Sequence, residues 1–419
     1  MSSSLPGQSV DVPAPASSRG SAAEVFRVAL GLGLTSFGGP IAHLGYFERA
    51  YVRNRQWLSA DEYAGFMALS QLMPGPTSSQ VGLLVGLRRA GWLGACAAWI
   101  GFTAPSALLM FGFALLAPRM EGAALDAVVH GLKLVAVAVV AQAVWSMAQR
   151  LCPDRQRAAI ALAAAVLLLA VGGVAMQMVA LVLGAAGGAV LCRGITLSSG
   201  KPQVPITMRT GGIALVIFLT LLVALPLAGR AAPHSLLDLA GIFYRAGALV
   251  FGGGHVVLPL LRAALVPHRW LTDNSFLAGY GAAQAVPGPL FTFAAYLGAA
   301  VAPAGKAPFW SLVALVFVFL PGILIAIAGL PLWAWLGDHP AARGGLAGIN
   351  AAVVGVLGAA LYNPIWVSAI GSGRDVAIAL AALLLLERWR VPPLVVVCFC
   401  VAAALLSAVV PGLRAPIRI

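Results

Sequence analysis

Long apolar runs, separated by short basic stretches, make up most of the chain. Trp92 to Leu116, Ala123 to Ala148 and Gly211 to Leu227 each approach or exceed the roughly 20 residues that cross a hydrocarbon core as helix. The two-residue alternation of an outer-membrane barrel is absent, so the pattern predicts an all-α polytopic membrane protein. Four of the runs are interrupted: FGGP begins at Phe37, MPGP at Met73, FGGG at Phe251 and VPGP at Val286. Glycine loses the most backbone entropy on ordering, and proline lacks a donor and clashes with the preceding turn, so each interruption penalises a continuous helix.

The interruptions recur in the same order. Phe37-Gly38-Gly39 matches Phe251-Gly252-Gly253 at an offset of 214 residues (37 to 251). Gln71, Pro74, Gly75 and Pro76 match Gln284, Pro287, Gly288 and Pro289 at 213 (71 to 284), and Trp57-Leu58-Ser59 matches Trp270-Leu271-Thr272 at the same offset. Gly131-Leu132-Lys133 corresponds to Gly348-Ile349-Asn350 at 217 (131 to 348). This agreement marks a tandem duplication, with a first repeat over residues 24–150 and a second over 238–362. Each repeat holds an FGG segment, a PGP segment and two uninterrupted helices; connecting helices are expected at 157–172, 174–192 and 210–228 within 151–237, and two more at 373–386 and 391–409 within 363–419. That makes about 13 membrane segments. Whether the first two segments of a repeat both span or both re-enter, the number of crossings between equivalent points is odd, and the second repeat is inverted. A single re-entrant segment per repeat would leave the two parallel. Inverted repeats with broken or re-entrant helices are a signature of secondary transporters.

Composition strengthens the membrane reading. Hydrophobic residues make up 61% of the 419, charged residues 9%, and mean hydropathy is +0.95. Residues 1–22 lack a basic n-region and an apolar h-region, and read as a disordered cytoplasmic tail rather than a signal peptide. The net charge of +13 would suggest nucleic acid in a soluble chain. Here arginines cluster between spans, at Arg49, Arg53 and Arg55, at Arg88 and Arg89, and at Arg150, Arg155 and Arg157, as cytoplasmic loops do, so no nucleic-acid partner is implied. The five cysteines show no metal spacing, and neither a metal nor another cofactor is expected.

At FGGP with MPGP in the first half, and FGGGH with VPGP in the second, the sequence resembles the chromate ion transporter family in its long form with two homologous halves. The resemblance covers nearly the whole chain. It implies efflux of chromate from the bacterial cytoplasm across the inner (plasma) membrane, conferring chromate resistance, with sulfate the cargo of some members.

The residues themselves point to an anion. The acidic side chains fall in the tail, in loops or near segment ends, whereas a cation carrier would place one at depth. A half-helix beginning at PGP directs free N–H groups and a partial positive charge into the break. The candidate substrate-binding residues are therefore Gly38, Gly39, Pro40, Pro74, Gly75 and Pro76, the hydroxyls of Thr77, Ser78 and Ser79, and in the second repeat Gly252, Gly253, Gly254, Pro287, Gly288, Pro289 and Thr292. Close packing of glycines and a plain proline kink are the competing explanations. His43 and His255 follow the glycines without aligning with each other, and either would donate to an oxyanion or carry a proton. Lys133, within the segment after Ala123, would attract a dianion or snorkel to the nearer surface. Gln71 and Gln284, three residues before each PGP, are read as ligands of substrate or of the break; Arg27 and Arg245 are membrane-end anchors by default. The GxxxG at Gly184–Gly188 would serve packing within the chain or a homodimer in the lipid. The expected function is a chromate exporter, with a sulfate or related oxyanion permease as alternative. An intramembrane enzyme would need a buried nucleophile with a base, or a paired Asp/His set, and no acidic residue sits at depth to complete one.

Overall fold

Short polar caps at repeated positions start the broken helices. In a computed structural model, which describes residues 20–37, 39–116, 123–171, 174–192, 206–250 and 257–409, Ser21 accepts the Glu24 N–H at the start of α1 (Ala22–Thr35), and Ser235 accepts the Asp238 N–H at the start of α9 (Leu236–Ala248). Ser59 and Glu62 form a reciprocal capping box on α3 (Ala60–Leu72), and Thr272 accepts the Ser275 N–H on α11 (Asp273–Ala285). All described elements are helical.

The first repeat begins with two helical hairpins. α1 and α2 (Gly39–Phe47, continued by a wide turn Glu48–Asn54) meet at FGG; α3 and α4 (Thr77–Leu116) meet at PGP. α4 itself folds back at Ala90 and Gly91, whose backbone is not helical, and Gly86 packs on Gly94 across that turn. At one end of the bundle the Gly20 N–H donates to Arg89 O (3.0 Å), Arg89 pairs with Glu24 (3.2 Å) and lies 5.2 Å over the Trp57 ring, and Arg88 pairs with Glu62 (3.5 Å). These contacts gather the start of α1, the loop before α3, the start of α3 and the turn of α4. Both hairpins therefore leave and return to the same end, and their tips lie inside. The second limb of α4 (92–116) runs from that end past α1, where Gly33 and Gly101 allow backbone contact.

The second repeat builds the same device from α9, α10 (Val257–Leu265), α11, the tight turn Leu290–Thr292 leading into α12 (Phe293–Ala300), and α13 (Ala307–Asp338). Its outer ends meet at Trp270, whose ring stacks on His234 (4.8 Å) and approaches Trp310 (6.2 Å). That gathering lies at the opposite end of the bundle. The Phe113 ring, near the far end of α4, is 5.5 Å from Tyr296, whose hydroxyl donates to Ser275 O at the start of α11 (2.8 Å). Conversely Leu330 and Trp333, late in α13, join the apolar cluster of Trp57, Tyr63 and Leu69.

The remaining helices cross over between halves. α5 (Ala123–Leu151) packs against α16 (Gly373–Glu387) and α17 (Pro393–Val409), while α14 (Pro340–Ala360) packs against α6 (Arg155–Ala170) and α7 (Val174–Leu191). Gly184 and Gly188 of α7 meet Gly344 and Gly348 of α14, so the GxxxG face is filled within the chain. α8 (Met208–Ala231) covers α9 and α13; the short α15 (Val367–Ala369) follows a wide turn after α14. Among the described residues, five helices are long and apolar enough to cross a membrane, and large side chains such as Leu93, Leu108, Leu183 and Val216 stand exposed as a hydrocarbon-facing belt would require.

Candidate functional site at the crossing of the broken helices

Each PGP break is hydrogen-bonded to the residue that precedes FGG in the other repeat. The Gly75 N–H donates to Val250 O, the carbonyl just before the second FGG (2.6 Å), and the Gly288 N–H donates to Ser36 O, just before the first (2.9 Å). Glycine is required at both places, because φ is +123° at Gly75 and +97° at Gly288, where other residues are strained. Each also lies against the long limb that follows the hairpins in the opposite repeat. A Cβ on Gly75 would stand 2.7 Å from Gly322 Cα on α13, and one on Gly288 would stand 2.8 Å from Ser106 Oγ on α4. Gly322 follows Pro321 and Ser106 follows Pro105, so the two contacts are equivalent as well as reciprocal.

The chemistry around the crossing is one-sided. After Pro76 the first limb of α4 opens with Thr77, Ser78 and Ser79, all buried, and the Pro76 carbonyl takes the Gln80 N–H (2.9 Å). The three N–H groups ahead of Gln80 therefore have no intrahelical acceptor, and their partial positive charge faces the break. Thr77 Oγ1 donates to Ser70 O (3.5 Å). The matching turn in the second repeat starts with Leu290 and Phe291, and the Thr292 hydroxyl is spent on Pro289 O (2.9 Å). Hydroxyl chemistry thus belongs to the first repeat.

His43 sits on α2 with 1% of its surface exposed, its ring edge-on to Phe102 (5.4 Å). Nε2 is 3.2 Å from Ser36 O and Nδ1 is 3.3 Å from Ser78 Oγ. A carbonyl oxygen only accepts, so Nε2 carries the proton; in the neutral ring Nδ1 then accepts from the Ser78 hydroxyl. His43 joins the first FGG break to the first turn of α4, as a residue four positions past the glycines on a returning helix can.

Other expected residues lie elsewhere. Lys133 Nζ donates to Asn274 Oδ1 (2.7 Å) at the start of α11, where Arg262 holds Asp273 in a bidentate pair (2.7 and 3.0 Å). From Asn274 to Val286 the helix rises about 18 Å at 1.5 Å per residue, so Lys133 belongs to the bundle end and not to the crossing. Gln71 is exposed, on the outer side of the last turn of α3, and Gln284 is half-buried and hydrogen-bonded with Tyr280. The amide that grips the break is Gln80, which the sequence reading passed over. Its Nε2 donates to Pro74 O and to Gly322 O, both at 2.8 Å, with the side chain 1% exposed. A buried-helix amide closing the polar stretch Thr77–Gln80, just ahead of the apolar run from Val81 to Leu87, was the available signal. Ser36, Thr103 and Ser106 were also missed; Thr103 and Ser106 flank Pro105, whose match to Pro321 would have marked them. Gly38, Gly252, Gly253, Gly254 and His255 lie outside the described residues, as does the side chain of Pro40. Pro287 is buried and Gly39 takes φ +77° in the first break.

Buried polar atoms without partners collect here as well: the hydroxyls of Ser36, Ser70, Ser79 and Thr103, and Oε1 of Gln80. Buried polar atoms are nearly always paired, so a cluster of orphans at a helix break is a place for a polar ligand.

Comparison with known proteins also divides the chain into two halves. The chromate transporter family profile matches residues 23–191 and again 237–406, starts 214 residues apart (23 to 237); the first match takes in α6 and α7 beyond α5, and the second takes in α15, α16 and most of α17 beyond α14. The chain is 29% identical to the chromate transport protein of Pseudomonas aeruginosa over 343 residues, 80% of this chain and 79% of the relative. It is 28% identical to that of Cupriavidus metallidurans over 363 residues, 84% of each chain, and 26% identical to a probable chromate transport protein of Synechococcus elongatus over 351 residues, 79% of this chain and 81% of the relative. No solved structure matches. Two profile matches over most of the chain, falling on the two halves that the crossing ties together, make this protein a member of the chromate transporter family.

Proposed function

We propose that the protein is a secondary transporter that carries chromate out of the bacterial cytoplasm across the inner membrane and so confers chromate resistance. The observation that carries this reading is the reciprocal crossing, in which each half's PGP turn is hydrogen-bonded to the residue just before the other half's FGG motif. A site shared between two antiparallel halves is exposed to either side by rocking one half against the other. The reading has nine helices or limbs crossing and four hairpin tips entering part-way, 13 segments in all, with five crossings between equivalent points. The end that carries Arg53, Arg55, Arg88, Arg89 and Arg157 faces the cytoplasm. An anion leaving along a normal membrane potential gains about 2.3 kcal/mol per charge per 100 mV, which supports export over import.

Donors at the site are first-turn amides and hydroxyls, with His43 beside them. Sulfate, also tetrahedral, is the alternative cargo, because this donor set fits both anions. Everted membrane vesicles carrying the protein should accumulate chromate, and a Pro74→Ala/Pro287→Ala variant, which restores a backbone donor and loosens the turn at each break, should not. Wild-type accumulation by the double variant refutes the site.

A further inference from the structure

A cavity of about 230 Å³ lies between α10, α14 and the α6–α7 pair, away from the crossing. Its walls include the end of α6 (Leu169), the start of α7 (Gln177), the end of α10 (Arg262), the end of α14 (Ala359) and the turn that follows it (Tyr362 and Asn363). Two features of the sequence keep it open. Residues 263, 359 and 360 are alanines, which put only a methyl group into the space. The backbone of Asn363 leaves the helical region (φ −126°, ψ 111°), so α14 does not run on across the gap.

The position of the cavity says what reaches it. Arg262 is tied to Asp273 at the first residue of α11, which places the cavity at the Trp270 and Trp310 end of the bundle, where tryptophans mark the depth of lipid headgroups. Leu162, Val166 and Leu169 form one stripe of α6 at spacings of four and three, and each is more than half exposed. Tyr362 at the lip is also more than half exposed. The mouth therefore opens toward hydrocarbon.

Its polar end offers donors. Arg262 binds Asp273 through Nε (2.7 Å) and Nη2 (3.0 Å), which leaves the two N–H groups of Nη1 without a partner among the described residues. Asp273 cancels the full charge of Arg262, so a free anion gains little here. A phosphate ester carried on an apolar body gains more, because burial of its chains adds to the charge-assisted hydrogen bonds.

We propose that this cavity is a phospholipid site: the phosphodiester accepts from Arg262 Nη1, the glycerol backbone fills the alanine-lined space, and the acyl chains run along the exposed stripe of α6. Because α10 is the returning limb of the second FGG hairpin, a lipid seated here ties that hairpin to α6, α7 and α14. The site is independent of the cargo and of the direction of transport.

The test uses the full-length protein, exchanged into lipid-free detergent and titrated with palmitoyl-oleoyl phosphatidylethanolamine, while native mass spectra report the ratio of lipid-bound to lipid-free folded protein. This lipid has no net charge, which keeps it from collecting at the arginine-rich end. Arg262→Gln should weaken the tightest binding event about tenfold. Asp273→Asn breaks the same ion pair but frees the guanidinium, so it should bind at least as tightly as the wild type. Ala359→Leu keeps the ion pair and fills the space, and should also lose the tight event. Diacylglycerol, without phosphate, and glycerol 3-phosphate, without chains, should each bind about tenfold more weakly than the lipid. Equal weakening by Arg262→Gln and Asp273→Asn makes the ion pair purely structural and overturns the proposal, as does undiminished binding in Ala359→Leu. Diacylglycerol binding as well as the lipid reduces the site to an apolar groove, and glycerol 3-phosphate binding as well makes it an aqueous anion site; either result also overturns it. None of these outcomes bears on chromate flux, so the transporter reading stands or falls separately.

Discussion

An alanine at Gly75 would have to hold φ at +123° and set its Cβ 2.7 Å from both Gln80 Nε2 and Gly322 Cα. The backbone strain costs about 1–3 kcal/mol, and forcing a methyl against backbone costs about 1–3 kcal/mol more, so the change is worth about 2–6 kcal/mol. At Gly288 the strain is similar, with φ +97°, but the nearest atom is the Ser106 hydroxyl at 2.8 Å, a group that can rotate away, and Phe102 O is next at 3.3 Å. That substitution should cost only about 1–3 kcal/mol. The two halves are related by repeat, so the inequality comes from what lies opposite each glycine. The assay is the temperature at which half of the detergent-solubilised protein leaves its monodisperse peak, read beside chromate uptake in liposomes. Gly75→Ala should melt well below Gly288→Ala. Ser106→Ala should recover part of the Gly288→Ala loss and none of the Gly75→Ala loss. Equal damage at the two glycines, or rescue of the wrong one, refutes the crossing as described.

Four further outcomes are expected. Ser59→Ala and Thr272→Ala should each cost about 1 kcal/mol by loss of a helix cap, with additive effects because the caps lie at opposite ends of the bundle; thermal stability of the single and double variants checks this. Single cysteines placed at Arg55 and at Lys306, in a background without the native cysteines, should react with an impermeant maleimide from opposite faces of the membrane, and labelling from one face would show the repeats parallel. Lys133→Met should lower stability by about 0.5–1 kcal/mol through loss of the bond to Asn274. It should shift chromate KM much less than Gln80→Met does, which uptake measures directly. Asp154, the N-cap of α6, accepts the Arg157 backbone N–H, and this holds its carboxyl below the usual range. A depressed value means that the cap's contribution is complete above the unfolded-state value and is lost as pH falls through the folded one. Asp154→Asn should therefore lose less stability on acidification than the wild type.

Much of the fold was legible because a membrane helix is recorded in composition and its ends in a few cap residues. The connecting and C-terminal helices expected at 157–172, 174–192, 210–228, 373–386 and 391–409 fall within a few residues of α6, α7, α8, α16 and α17. The doubling of FGG and PGP located the breaks, since glycine at positive φ between prolines is a local requirement that a sequence must state outright. Partner choice was not legible. Nothing in either motif says that Gly75 bonds to Val250 and not to its own FGG, because that pairing depends on how two halves pack. The same gap explains Lys133 and Gln80. Depth along a helix was estimated from the start of a segment, which placed Lys133 inside, whereas the register of α5 against α11 puts it at the end. Gln80 does not stand out in the sequence as a site residue, because its two acceptors lie 6 and 242 residues away in the chain.

The crossing also sets a timetable for synthesis. When Gly75 is made, its partner carbonyl at Val250 is still 175 residues from being added (75 to 250), which at about 5–20 residues per second takes about 9–35 s. During that interval the first PGP turn sits in the membrane with an unpaired N–H, and only Ser36 on its own side is ready for the second half. Neither half can be finished alone, so a ribosome that stalls between residues 192 and 250 leaves a chain with an open polar turn in lipid. Such a nascent chain is one that membrane quality control would recognise by its unfinished backbone.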